Sequence, residues 1–133
     1  MNSPQFIKLA ISAMSSSHSP YSGKKIGACV VTTAGDFFTG ANIENASYGA
    51  TVCAERVAIW KALTEKPGSK IKTVYVCSDE TSPWPPCGMC RQVIAEFATE
   101  DCEILCINPK GTQNKILFKD LFPSAFGPKH LKP

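Results

Sequence analysis

The sequence predicts an α/β fold, a single-domain three-layer α/β/α sandwich with a mixed sheet of about five strands. Three observations lead there. The chain has 133 residues, 44% of them apolar and 19% charged, which suits one domain over 1–133 with a sizeable core. Helix-like and strand-like segments follow one another in the order α-β-β-α-β-α-β-β. No internal repeat, long linker or charge block interrupts them. This composition excludes low-complexity disorder, collagen and coiled coil. No apolar run approaches the ~20 residues of a membrane span. The net charge of +3 is too small and too evenly spread for a nucleic-acid-binding surface.

Each element has a local signature. Ser3-Pro4 reads as a helix start, serine capping and proline at the first helical position. Phe6, Leu9, Ala10, Ala13 and Met14 then recur at helical spacing. Ser15 to Pro20 reads as loop. Ile26 to Thr32 reads as a buried strand that turns at Ala34-Gly35-Asp36 into a second strand, Phe37 to Ile43, so the two form a hairpin. Thr51 to Leu63 is rich in helix formers and stops before Lys66-Pro67-Gly68. Lys72 to Cys77 is the third strand. Ser82-Pro83-Trp84-Pro85-Pro86 cannot be helical. A helix follows from Cys87 to Ala98, with Met89, Val93, Ile94 and Phe97 expected to face inward. Glu103 to Ile107 is the fourth strand. Past a turn at Asn108-Pro109-Lys110-Gly111, Lys115 to Phe118 is the fifth.

Seven cysteines cannot all pair internally. Lys8 interrupts the apolar N-terminal stretch, so the segment does not read as a secretory signal. The expectation is a reducing, cytoplasmic setting in which thiols stay free or bind metal. Cys29 and Cys77 sit in strand-like runs, where a small buried thiol is ordinary packing. Cys87-Gly88-Met89-Cys90 differs. Its spacing at a helix start puts both sulfurs on one face, able to grip one ion, although a thioredoxin-like redox pair uses the same spacing. Cys53-Ala54-Glu55 lies upstream at another helix start. Two helix N-termini that follow neighbouring strands can point at one spot, where free N–H groups and dipole ends favour thiolates. Three protein ligands would leave one tetrahedral position open, the arrangement of catalytic zinc.

Cys53-Ala54-Glu55 together with Pro86-Cys87-Gly88-Met89-Cys90-Arg91-Gln92 resembles the zinc signature of the cytidine deaminase superfamily. Three cysteine ligands, no histidine and a short chain are similar to its homotetrameric members. Ser19-Pro20-Tyr21-Ser22, the segment Asn42-Ile43-Glu44-Asn45-Ala46-Ser47-Tyr48-Gly49 and Leu121-Phe122-Pro123-Ser124-Ala125-Phe126 extend the likeness over nearly the whole chain. The resemblance implies hydrolytic deamination of cytidine and 2′-deoxycytidine to uridine and 2′-deoxyuridine, with release of ammonia, as in pyrimidine salvage. It implies one Zn2+ per subunit on Cys53, Cys87 and Cys90. Glu55 would be the proton shuttle, with Arg56 and Gln92 supporting the ligands. The Ala54 N–H would meet the pyrimidine O2. Asn42 and Glu44, flanking Ile43, would hold the ribose 3′-hydroxyl. Tyr48 would reach the other end of the nucleoside, and Phe126 would close the base pocket across a subunit interface. The implied assembly is a homotetramer with shared pockets, with neither nucleic acid nor membrane as partner.

Zinc lowers the pKa of coordinated water from 15.7 toward ~7. Three thiolates blunt that effect, and the helix ends and Arg56 would offset the blunting. Blander assignments stand beside these. Glu55 could be a first-turn acid complementing the helix dipole, Arg56 a solvated residue, Asn42 a turn marker and Phe126 ordinary packing. Lys24 stands where the family commonly has an aromatic that packs on the base, so weakened binding of cytidine with intact zinc chemistry is expected. The nearest enzymatic alternative is a deaminase of a cytosine-nucleoside antibiotic of the blasticidin S type. A structural zinc or redox protein built on Cys87 and Cys90 is a different class. A polynucleotide deaminase fits less well, because neither His18 nor His130 stands beside a glutamate and the net charge is low.

Overall fold

In the computed structural model, which describes residues 2–132, five strands form one mixed sheet. β1 (Ile26–Thr32) lies antiparallel between β2 (Phe37–Ala41) and β3 (Ile71–Ser78). β3 runs parallel to β4 (Ala98–Ile107), and β5 (Gln113–Leu117) lies antiparallel to β4 at the far edge. Successive side chains of a strand point to opposite faces, and both faces of the central strands are apolar. On one face Phe6 and Ala10 of α1 (Ser3–Ala13) meet Cys29, Val31, Tyr75, Cys77, Leu105 and Ile107. On the other, Ala58, Ile59 and Ala62 of α2 (Ala54–Glu65) and Ile94 of α3 (Gly88–Phe97) cover Ala28, Val30, Val74, Val76 and Ile104. Helix, sheet and helix are therefore three layers, as the element order predicts.

Two glycines set how closely the layers approach. A Cβ on Gly40 would lie 2.5 Å from the Ala54 carbonyl oxygen and 2.7 Å from the Ala58 nitrogen, so only glycine lets α2 rest on β2. Gly27 plays the same part for α1, where a Cβ would come within 2.8 Å of the Met14 nitrogen.

Several boundaries differ from the sequence reading. Asn2, not Ser3, caps α1, exchanging bonds with Gln5 in a reciprocal capping box, while Pro4 sits within the first turn. β4 begins at Ala98, directly out of α3, because Ala98 pairs with Ile71 before an irregularity resets the register to Thr73 and Glu103. The polar run Thr99-Glu100-Asp101 conceals that early start. β5 is shifted toward the N-terminus, and Phe118 opens a short helix, α4 (Phe118–Leu121), because its ring is buried in the second core layer. Another short helix, α5 (Pro128–Leu131), lies near the end of the chain. β2 ends at Ala41, and Ile43 instead forms an isolated bridge with Val52, which keeps Thr51 to Cys53 out of α2. Met89 is 63% exposed. Cys90 and Ile94 define the inner face of α3, and a residue one position before Cys90 is rotated about 100° away from it.

Candidate zinc centre and nucleoside site

The N-terminal end of β1 lies beside the C-terminal ends of β2, β3 and β4, since Ile26 pairs with Ser78, Gly27 with Ala41, and Cys77 with Ile107. The loops that carry the chemistry-bearing residues leave from this one edge. Sites in open α/β sheets collect at the carboxyl ends of strands.

Cys53 is the N-cap of α2 and Cys87 the N-cap of α3, and neither makes the side-chain capping bond that Ser, Thr, Asn or Asp would make there. Their sulfurs turn toward each other, 3.6 Å apart. With Cys90, in the first turn of α3, they form a cluster whose three sulfurs all lie within 4.8 Å of one another. Tetrahedral zinc with bonds of about 2.3 Å requires sulfurs about 3.8 Å apart, so three soft thiolates here fit that ion. Among the described residues no further His, Cys, Asp or Glu joins the cluster, which leaves a fourth coordination position for a non-protein ligand.

The surroundings favour charge on the Cys53 sulfur. The Cys53 thiol is held below the ordinary thiol range, first by a hydrogen bond with Cys90 and then by Arg56 and Cys87. Cys90, its partner in that bond, is pushed the opposite way. Arg56 is buried and places Nη2 3.5 Å from the Cys53 sulfur, with its guanidinium carbon 6.0 Å from the Trp60 ring centroid. It is not a solvated surface residue. The remaining four cysteines lie outside the cluster. Burial pushes Cys29 and Cys102 up to about 12, and Cys77 and Cys106 up to about 11, which leaves them as neutral packing groups.

Glu55, in the first turn of α2, is only 3% exposed. Burial, first, and the nearby Cys53 push its carboxyl up to about 7. A carboxyl that only complements a helix dipole is ordinarily solvated, whereas Glu55 is buried beside the sulfurs. Ala54 is fully buried at the start of α2, where a first-turn N–H has no intrahelical acceptor.

The segment Asn42 to Glu44 is held beside this centre. Ile43 exchanges backbone bonds with Val52, one residue before Cys53, at 3.0 Å in each direction. On its other side, the His18 N–H donates to the Asn42 carbonyl at 3.0 Å and the Glu44 N–H to the His18 carbonyl at 2.7 Å. Asn42 is buried: its Oδ1 accepts from Ile26 N–H at 2.9 Å and from the Ser17 hydroxyl, while Nδ2 donates to the Lys24 carbonyl at 2.7 Å. Glu44 accepts from the Tyr21 and Ser22 N–H groups and from the Ser22 hydroxyl. Both side chains thus anchor the 17–26 segment. Sequence reasoning assigned Ser17, Tyr21 and Ser22 no link to Asn42 and Glu44; the Ser19-Pro20-Tyr21-Ser22 segment is the signal that could have found the last two.

The remaining expected residues lie further out. Tyr48 is 77% exposed, with Tyr21 edge-on to it at 6.0 Å. Phe126 is half exposed and stacked on His130 at 5.0 Å. Gln92 does not meet the sulfurs but donates from Nε2 to the Phe126 carbonyl at 2.9 Å. Its neighbour Arg91, which sequence reasoning passed over, donates to the carbonyls of Pro86 at 2.8 Å and Leu121 at 3.0 Å. It ties the Cys87 loop to the C-terminal segment.

Residues 1–106 match the family described as "Cytidine and deoxycytidylate deaminase zinc-binding region". The chain is 41% identical to the cytidine deaminase of Halalkalibacterium halodurans, covering 95% of each protein. It is 40% identical to a probable cytidine deaminase of Dictyostelium discoideum, covering 98% of this chain and 90% of the other. The crystal structure of cytidine deaminase from Burkholderia pseudomallei superimposes with a TM-score of 0.88 at 38% identity, over 95% of this chain and 100% of that one. The three-sulfur cluster, the buried carboxyl beside it and a likeness that runs the length of the chain agree: this protein belongs to the cytidine and deoxycytidylate deaminase family.

Proposed function

We propose that the chain, working as one domain over 1–133, hydrolyses cytidine and 2′-deoxycytidine to uridine and 2′-deoxyuridine with release of ammonia. The observation that carries this reading is the Glu55 carboxyl, buried beside three sulfurs that fit one zinc ion. When bound by Cys53, Cys87 and Cys90, zinc supplies the Lewis acidity that makes water a competent nucleophile near neutral pH. Glu55 takes a proton from the attacking water and delivers it to the ring nitrogen. It then takes the second proton, from the hydroxyl now bonded to the ring carbon, and passes it to the amine, so a C=O bond replaces the C–N bond and ammonia departs. Arg56 draws charge from the Cys53 sulfur through its 3.5 Å contact. The Ala54 N–H receives the base oxygen O2, and Asn42 and Glu44, with Ile43 between them, hold the ribose hydroxyl.

Tyr48 and Phe126 serve pockets completed by neighbouring copies in a homotetramer, a reading supported by how much of each ring the single chain leaves exposed. We read the setting as the reducing cytoplasm, where the three thiols of the cluster stay available to a metal, and the conversion of cytosine nucleosides to uracil nucleosides as a step of pyrimidine salvage. Ultraviolet-monitored turnover of cytidine, deoxycytidine, cytosine and blasticidin S, with ammonia assayed in parallel, tests the activity. The two nucleosides are expected to turn over fastest. Preferential turnover of blasticidin S, or none of any substrate by zinc-loaded protein, overturns the reading. Light scattering tests the assembly, and a fully active monomer overturns it.

A further inference from the structure

Lys24 and Trp84 come together at the edge of the sheet that carries the sulfur cluster, and neither has a part in the reading above. The Lys24 ammonium is 2.8 Å from a Glu80 carboxylate oxygen and 5.7 Å from the centroid of the Trp84 ring. The indole is 42% exposed, so one face is open to a ligand. It is also not free to wander. Its N–H backbone group donates to the Ser78 hydroxyl at 3.2 Å, at the end of β3. Pro85 and Pro86, both fixed in φ, lead from it directly into Cys87.

Contacts connect this assembly to both halves of the proposed nucleoside site. The Lys24 carbonyl accepts from Asn42, and the Lys24 N–H donates to the Ser22 hydroxyl, which itself donates to Glu44. Ser78, which holds Trp84, pairs in register with Ile26, whose N–H is bound by Asn42. Trp84 is thus tied through Lys24 to the sugar-binding fork and through Pro85 and Pro86 to the loop of a zinc ligand. A pyrimidine bound between them needs a flat, weakly hydrated surface at its side, and aromatic faces supply one.

We propose that Trp84 forms a wall of the nucleoside pocket in contact with the bound base, and that the Lys24–Glu80 ion pair positions the indole. Trp84 is thus a substrate-binding residue, and Lys24 and Glu80 are positioning residues. The proposal rests on the nucleoside-deaminase reading and deepens it. It also accounts for lysine at position 24: a polar residue there does not have to supply the flat surface, because Trp84 does.

The test uses the zinc-loaded full chain, with uridine, the reaction product, as an unreactive probe. Tryptophan emission is expected to change saturably as uridine is added. The change should vanish in Trp84→Phe, which keeps a flat face but lacks an indole, while Trp60 remains. Trp84→Ala is expected to raise KM for cytidine about ten-fold with kcat little changed. Lys24→Met should raise KM in the same direction, and Lys24→Arg should restore it. The proposal is overturned by an emission change that survives in Trp84→Phe, by a folded Trp84→Ala protein with unaltered KM, or by indole emission that follows protein concentration rather than uridine, as burial against a second copy would give. Absence of cytidine turnover in the parent protein overturns the underlying activity as well. Normal turnover with an insensitive Trp84 overturns only the wall.

Discussion

Cys53 and Cys87 are 34 positions apart in the chain, yet their sulfurs lie 3.6 Å from each other. The sheet makes this possible. α2 follows the loop after β2, and α3 follows β3, so the two N-termini open onto the same edge. Because each cysteine occupies an N-cap without capping, its sulfur is free to face the other helix.

That convergence predicts a single tight metal per chain. Elemental analysis of purified protein is expected to give one zinc per chain, and Cys90→Ala protein to give almost none. Ligand linkage stabilises the native state by about 2.7 kcal/mol when free zinc is 100 times its Kd, so chelation should lower the thermal midpoint. Both apolar layers lie against the sheet, and the far-ultraviolet circular dichroism should persist. Unaltered zinc content in Cys90→Ala would show that the cluster is not the site.

Glu55→Gln keeps the volume of the buried side chain and removes its capacity to carry a proton. General acid–base groups contribute about 10² to 10⁴ in rate, and kcat is expected to fall by a factor in that range. Zinc content should not change, since Glu55 is not among the three sulfur ligands. Stopped-assay ammonia release with parallel metal analysis separates the two. Full turnover by the glutamine variant would remove Glu55 from the chemistry.

Much of this was legible in the sequence because the informative signals are local. Cys-x-x-Cys spacing on a helix start, an acid two residues after another cysteine and alternating apolar strands each declare themselves within a few residues. The parts that were not legible depend on distant pairings. Asn42 and Glu44 read as two residues at a strand end, but Asn42 is buried under the 17–26 segment, and Glu44 fastens the same segment through contacts 22 and 23 positions away in sequence. Gln92 sits next to the zinc motif in sequence, but its place in the helix turns it toward Phe126. β4 is longer than its sequence pattern because its first residues are largely polar, and their strand state is imposed by the pairing of Ala98 with Ile71 rather than by their own preference.

Gly40 offers a test of how the fold fixes the centre. An added methyl would press on the backbone of Ala54 and Ala58, in the first turns of α2. Neither neighbour is a flexible side-chain tip, so α2 must shift away from β2. Overpacking of this kind costs about 1–3 kcal/mol. The same shift would displace the Cys53 sulfur, so Gly40→Ala should lose stability and zinc affinity together. Gly27→Ala, which presses on α1 across the sheet, should lose stability with zinc affinity retained. Urea unfolding and competition with a zinc chelator measure the two quantities, and equal losses of affinity in both variants would contradict the assignment.

Acid should loosen the Glu44 anchor in a defined direction. The Ser22 hydroxyl, aided by the Ser22 and Tyr21 N–H groups, holds the Glu44 carboxyl below its ordinary value of 4.5. With the folded value lower than the unfolded one, the anchor contributes fully above 4.5 and is lost as pH falls through the lowered value. The amide resonances of Tyr21 and Ser22 should therefore titrate with a midpoint below 4.5. In Glu44→Gln they should show no such transition. A midpoint at or above 4.5 would mean that the carboxylate is not held by these donors.

Arg91 connects the loop that ends at Cys87 to the C-terminal segment through two charged hydrogen bonds, to the Pro86 and Leu121 carbonyls. One planar guanidinium meets both acceptors from fixed directions, whereas a lysine ammonium carries its donors on a single nitrogen. Hydrogen bonds from charged groups contribute about 1.5–3 kcal/mol each, so Arg91→Lys should lose at least one such increment. Because Pro86 adjoins a metal ligand, the loss should be accompanied by faster release of zinc to a chelator. If the urea midpoint drops while zinc release keeps its rate, the clamp stabilises only the C-terminal segment. If both stay at their parent values, the lysine has found both carbonyls and the geometric argument for arginine fails.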